Sequence, residues 1–157
     1  MAPMIAGLGP LFSDEKLGSL INVNGKPNCW YYKSGKYFWD NDTGWSVSSP
    51  VVLNTKLPVA VLTGGQTGSS GEAVVVSFIG NDKTKLFGQS TWGLTTGNGN
   101  FKLKAGSQIF LASTVYADRN SNVYRGSIIP DFIIDTKTTA DNDPVIEAAT
   151  KWIGSNK

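Results

Sequence analysis

The sequence predicts an α/β fold, a mixed and twisted sheet packed by helices, with a β-rich aromatic segment at residues 18–47. Two local patterns carry that reading. The short β-branched run Val59-Ala60-Val61-Leu62-Thr63 has no alternation, as in a fully buried strand, and a Gly-rich turn leads from it into an apolar, capped helix. Short aromatic runs separated by hairpin-type turns fill 18–47. A chain of 157 residues, 40% hydrophobic and 17% charged, is one domain or a large part of one, with enough apolar material for a core.

The elements follow in order. Pro3 suits the first turn of a helix that Gly7, Gly9 and Pro10 should fray or end. The apolar opening, without an N-cap, reads as a helix cut from a longer parent. Leu20-Ile21-Asn22-Val23 is a strand. Cys29-Trp30-Tyr31-Tyr32 and Tyr37-Phe38-Trp39 flank the turn Lys33-Ser34-Gly35-Lys36, and a further turn runs from Asp40 to Gly44. The aromatic concentration is either cross-strand packing or a binding surface, with packing the commoner outcome on a hairpin.

After the run at 59–63, Gly64-Gly65-Gln66-Thr67-Gly68 turns the chain. A helix over 69–79 follows, opened by the capping box Ser69-x-x-Glu72 and apolar nearly all round. Residues 85–88 form a short strand and 89–100 a polar loop with Trp92. Phe101-Lys102-Leu103 and Gln108-Ile109-Phe110-Leu111 flank a second hairpin turn. Another strand passes through Thr114-Val115-Tyr116, and a strand ending lies within 128–134. The last helix has Asp143 as N-cap, Pro144 as first residue and Gly154 as stop.

Composition excludes several functions. Fourteen basic residues against 12 acidic, a net charge of +2, leave no electrostatic footprint for nucleic acid. No apolar run reaches the roughly 18 residues of a spanning helix, so no membrane insertion is expected, and no signal peptide is visible. The sequence has no His, so a Ser-His-Asp triad or a His-ligated metal site cannot be completed from it. Cys29 has no intramolecular partner for a disulfide. No cofactor or metal is implied.

Chemistry could sit at Gly64–Glu72. A turn between a strand and a helix exposes a side chain at the sheet end, and the helix N-terminus offers unpaired N–H groups to developing negative charge. The nucleophile elbow, the phosphate loop and the dinucleotide fingerprint all fail here. Ser69 either caps the helix, with Glu72 closing the box, or is a nucleophile.

Read together, several segments resemble the C-terminal-processing (tail-specific) serine peptidases. They are the run at 59–62, Thr67-Gly68-Ser69-Ser70-Gly71-Glu72, Gly88-Gln89-Ser90-Thr91-Trp92-Gly93, the hairpin over 101–111, and Gly126-Ser127-Ile128-Ile129-Pro130-Asp131. The Ser-Ser-Gly-Glu form is nearer the branch of the tricorn core protease and the interphotoreceptor retinoid-binding proteins. The resemblance implies the ClpP/crotonase-like spiral, with the β-rich segment 18–47 as an insertion in a single, incomplete catalytic domain over 1–157. It implies Ser69 as nucleophile and the Ser70 N–H as one oxyanion donor. The second donor would come from a Gly upstream of the opening helix.

One departure stands out. The Lys general base of the dyad branch would follow Gly93, and that position is Leu94, which cannot accept a proton. The tricorn-like branch takes its base from an upstream His, and its later Glu has no clear match near Tyr124 and Arg125. The expected function is therefore a serine-type peptidase acting on polypeptide tails, with this chain lacking its base and half its oxyanion hole and close to inactive. The alternative is a non-catalytic module binding a peptide or an apolar ligand, through the aromatic hairpin (Trp30, Tyr32, Trp39, Trp45) or the cleft near Ser69. The resemblance places the protein in the cell envelope or outside the cell, and an exposed sheet edge would favour self-association.

Overall fold

The computed structural model describes residues 1–51, 53, 57–135 and 143–156. The chain begins with α1 (Ala2–Gly7), which ends at the predicted glycine, and a 3-10 turn at Gly9–Leu11. Four strands follow: β1 (Glu15–Asn22), β2 (Pro27–Lys33), β3 (Lys36–Trp39) and β4 (Asp42–Ser46). Next come β5 (Val59–Thr63), α2 (Ser70–Phe78), β6 (Thr84–Gly88), β7 (Thr96–Lys102) and β8 (Gln108–Asp118). The short strands β9 (Val123–Tyr124) and β10 (Phe132–Ile133) precede α3 (Pro144–Ser155).

The strands form two sheets. Seven are antiparallel, in the order β4-β3-β2-β1-β8-β7 with β9 beside β8. Three are parallel, in the order β10-β6-β5. The α/β class holds, with parallel and antiparallel pairing separated between the sheets. The aromatic strands are continuous with the large sheet through the β1–β8 pairing.

The aromatics of the predicted hairpin are mostly core. Positive φ at Ser34 (46°) and Gly35 (82°) gives the two-residue turn the right-handed strand twist demands. Trp30 is fully buried and Tyr32 and Tyr37 nearly so, and Trp30 stacks on Trp39 across the strands at 6.4 Å. Trp45 alone of the four candidate binding aromatics is largely exposed.

Helix α2 lies against β1, β8 and β5. Ala73, Val75, Val76 and Phe78 join Ile5, Phe12, Leu17, Trp30 and Tyr116 in the main core. Its valines are weak helix formers, and the helix is held by this burial instead. The Trp30 indole N–H donates to Ser77 Oγ (2.9 Å), whose hydroxyl donates to the Ala73 carbonyl (2.8 Å), so the buried polar atoms there are satisfied. At the C-terminal end the Arg119 guanidinium donates to the carbonyls of Ser77 (2.7 Å) and Ile79 (3.1 Å) and pairs with Glu15. Helix α3 covers the parallel sheet through Val145 and Ala149 around Phe87, with the Trp152 ring 5.7 Å from that of Phe87.

Several expectations are corrected. β5 is an edge strand, so it is half-buried and Leu62 is exposed, although Val59 and Val61 pack on the main core and Ala60 on the Phe87 cluster. The loop over 89–100 is shorter, because β7 begins at Thr96 despite its two glycines; pairing to β8 overrides local propensity. The strand at 114–116 is part of one eleven-residue strand, Gln108–Asp118. Gly44 lies inside β4, the turn being Asp40-Asn41. Helix α3 runs one residue past Gly154.

Candidate active site at the start of α2

The parallel strand β5 ends at Thr63, and the turn 64–68 brings the chain to Ser69. That turn is self-braced: Gly64 N–H donates to Thr67 Oγ1 (3.1 Å) and Thr67 N–H to the Gly64 carbonyl (2.8 Å). Ser69 is the N-cap of α2, with φ 50° and ψ −114°, and it is exposed. A non-glycine residue at such angles is strained, by about 1–3 kcal/mol, and must be held there by its surroundings. The capping box predicted from Ser69 and Glu72 forms, so capping and exposure coexist in one serine. The Ser70 N–H, first in the helix, donates to no described residue.

What holds the strained residue is Glu72. Its side chain is fully buried. One oxygen accepts the Ser69 N–H at 2.8 Å. The other accepts the Thr91 hydroxyl at 2.5 Å and the Gly93 N–H at 2.8 Å. Thr91 Oγ1 in turn accepts the Ile128 N–H at 2.8 Å. One carboxylate therefore ties the helix start, the 91–93 segment and the 128 segment together. Three donors are what a buried carboxylate needs to stay in place.

The spaced residues Gly88, Thr91 and Gly93 have separate physical reasons. Gly88 has φ +120°, and a Cβ there would stand 2.1 Å from the Thr63 carbonyl oxygen. Thr91 is the bridge just described. Gly93 has φ +97°, and a Cβ would meet the Ser127 N at 3.0 Å. Nothing in the spacing reveals that Thr91 and Gly93 share the Glu72 carboxylate, and Tyr116 gives no sequence signal either. Tyr116 is buried, with its hydroxyl facing the Ser69 carbonyl at 3.4 Å. Burial, then the nearby Glu72 charge, pushes its phenol above the ordinary value.

Leu94 is near the helix start but chemically inert: its Cδ1 would lie 3.5 Å from a Cβ on Gly68. Lys85 pairs with Asp131 at 3.1 Å, while Lys102 and Lys104 lie at the exposed end of the β7–β8 hairpin. Tyr124 donates its hydroxyl to Asp118 (3.0 Å), and Arg125 is exposed. Among the described residues no cluster of His, Cys, Asp and Glu could hold a metal ion, and no helix is long and apolar enough to cross a membrane.

The profile of peptidase family S41 matches residues 5–134. The chain is 31% identical over 159 aligned positions to the nisin-resistance protein of Lactococcus lactis subsp. lactis, covering 99% of this chain and 46% of that protein. It thus spans about half the length of the curated relative it matches. Among solved structures, a lipoprotein from Streptococcus agalactiae superposes with a TM-score of 0.69 at 24% identity, over 99% of this chain and 50% of the other. The photosystem II D1 C-terminal processing protease superposes with a TM-score of 0.67 at 15% identity, over 98% of this chain and 36% of the other. These two likenesses concern the fold.

Proposed function

The chain belongs to peptidase family S41, and from that premise we propose that it carries the nucleophile of a serine peptidase at Ser69. The observation that supports this most is the strained, exposed Ser69 at a helix N-terminus, braced by a buried carboxylate, beside the Ser70 N–H, which donates to no described residue. Ser69 Oγ attacks the scissile carbonyl carbon, and the carbonyl oxygen takes the negative charge. The Ser70 N–H and the α2 dipole stabilise that oxyanion; one such donor is worth roughly 3–4 kcal/mol in the transition state. The serine proton passes to a base and then to the leaving amine. Water releases the acyl group by the same route reversed.

Position 94 supplies no base, and the sequence has no His. Hydrolysis by this chain alone is accordingly expected to be near zero. Polypeptide tails are the proposed substrates. Similarity to a nisin-resistance protein makes nisin a second peptide to try, and a place in the cell envelope accords with the relatives. Labelling with a fluorophosphonate, followed by peptide mapping, tests the nucleophile. Modification of Ser69, lost in Ser69→Ala, is the expected result. Labelling elsewhere, or none even when candidate upstream segments are supplied, refutes it. Leu94 favours a second reading, a peptide-binding module on the same fold, in which Ser69 never labels but peptides still bind.

A further inference from the structure

Along the segment 91–95 burial alternates from residue to residue. Thr91, Gly93 and Thr95 face inward: Thr91 and Thr95 are buried, and the Gly93 N–H and Thr91 hydroxyl reach Glu72. Thr95 Oγ1 accepts the Gly126 N–H at 3.0 Å, which fastens the far end. Trp92 and Leu94 face outward and stay 63% and 49% exposed. Both side chains nevertheless border the turn before Ser69. A Cβ on Gly68 would lie 3.5 Å from Trp92 Cβ and 3.5 Å from Leu94 Cδ1. The Trp92 N–H also donates to the Thr67 carbonyl at 2.8 Å.

Two large apolar side chains are thus held out to solvent by a rigid backbone, next to the proposed nucleophile. Neither is needed for the core. The charge pattern is equally specific. Residues 57–71 and 86–101, the stretches containing the turn and this segment, contain no Asp, Glu, Lys or Arg. The nearest carboxylate, Glu72, is buried and takes three donors. A charged substrate side chain laid on Trp92 and Leu94 would lose water and gain no polar partner from either, whereas an apolar one would cover exposed apolar surface.

From this placement we infer that Trp92 and Leu94 form the subsite for the substrate residue beside the scissile bond, and that they select an uncharged, apolar residue such as Leu or Phe. The inference rests on the reading of Ser69 as the nucleophile for its place in the reaction, and adds the substrate class. Because the segment is prefixed by Glu72, little ordering accompanies binding. Leu94, standing where a lysine would serve as base in related enzymes, serves recognition instead.

The test is a binding titration of the chain with acetyl-Ala-Ala-Ala-X-amide peptides, X being Leu, Phe, Asp or Lys, followed by NMR at the Trp92 indole and Leu94 methyl signals. The Leu and Phe peptides are expected to bind at least about tenfold more tightly than the Asp and Lys peptides, the scale of hydrophobic-pocket discrimination. Leu94→Lys should reverse the order in favour of Asp, and Trp92→Ala should erase most of the preference. Both side chains are exposed, so both variants should keep the parent melting temperature. Equal binding of all four peptides, no saturable binding, or a preference that survives both substitutions overturns the inference. Ser69→Ala separates the two readings. Retained peptide preference with no Ser69 labelling in any form of the protein sinks the nucleophile and leaves the apolar recognition standing. Ser69 labelling without residue preference does the opposite.

Discussion

Glu72 is the residue on which the site's geometry depends. Replacing it with Ala leaves three donors, from Ser69, Thr91 and Gly93, facing a dry hole. The expected cost is about 3–5 kcal/mol in urea unfolding. Glu72→Gln keeps the shape but turns an NH2 toward at least one donor, so a smaller loss, about 2 kcal/mol, is expected. In both variants Ser69 is free to relax from φ 50°, and fluorophosphonate labelling, where present in the parent, should fall further than stability does. Equal losses in the two readouts would show Glu72 to be purely structural. Gly88→Ala should be worse than either substitution of a surface glycine, because the added carbon would sit 2.1 Å from a backbone oxygen at a positive φ.

The tyrosines fix the alkaline limit. Burial raises Tyr37, and then the Asp40 charge adds to it; burial raises Tyr124, followed by its bond to Asp118; Tyr116 is raised likewise. Each folded-state pKa lies above the unfolded value near 10, so the native state keeps protons that the unfolded chain releases. Their contribution is complete below about pH 10 and is lost as pH rises beyond it, by up to about 1.4 kcal/mol per pH unit for each tyrosine. Absorbance at the tyrosinate band should therefore rise together with loss of far-ultraviolet dichroism above that pH. Tyrosinate formed at Tyr37, Tyr116 or Tyr124 well before unfolding, as read with each replaced in turn by Phe, would contradict the raised values.

Among the elements, α3 and α2 are stabilised in different ways. Helix α3 is capped by its own sequence: the Asp143 carboxylate accepts the N–H groups of Val145 (2.9 Å) and Ile146 (3.3 Å), so Asp143→Ala should cost about 1 kcal/mol. Helix α2 relies on distant partners at both ends. Glu72 reaches Thr91 and Gly93 at its start, and Arg119 covers its last carbonyls and pairs with Glu15. Arg119→Met keeps the aliphatic stem and removes the donors, with an expected loss of about 2–3 kcal/mol by chemical denaturation. A loss no larger than that of Asp143→Ala would show that water replaces the guanidinium. The capping box of α2 was legible in the sequence because both its members lie within one turn. Its distant partners were not, since neither Arg119 nor Thr91 has any sequence relation to the helix they hold.

At the scale of the whole molecule, stability should be uneven. The β7–β8 hairpin extends beyond the sheet: β1 covers β8 only from Thr114 onward, and residues 100–112 are exposed on both faces. Phe101, Leu103, Ile109, Phe110 and Leu111 are all among its exposed apolar residues. A two-stranded ribbon with no cover is marginal. Its amides should exchange with deuterium orders of magnitude faster than those of Leu17, Ser19 and Ala117 in the fully enclosed strands. Comparable protection in both regions would mean that the hairpin is covered in solution, as by association at its free edge.

The sequence by itself determined what depends on near neighbours. The strand–turn–helix at 59–79, the Ser34-Gly35 turn, both helix caps and the end of α1 follow from periodicity, positive-φ residues and side chains that reach a few residues along. Ser69 was a candidate for the same reason. Only the tertiary structure decided that 108–118 is one strand, that β5 lies at an edge, and that the aromatic hairpin is core. Only it brought Glu72 to Thr91 and Gly93, and set Trp92 and Leu94 against Gly68. Those outcomes depend on contacts between residues about 20 or more positions apart, whose free energy comes from burial and satisfied hydrogen bonds rather than from local conformational preference.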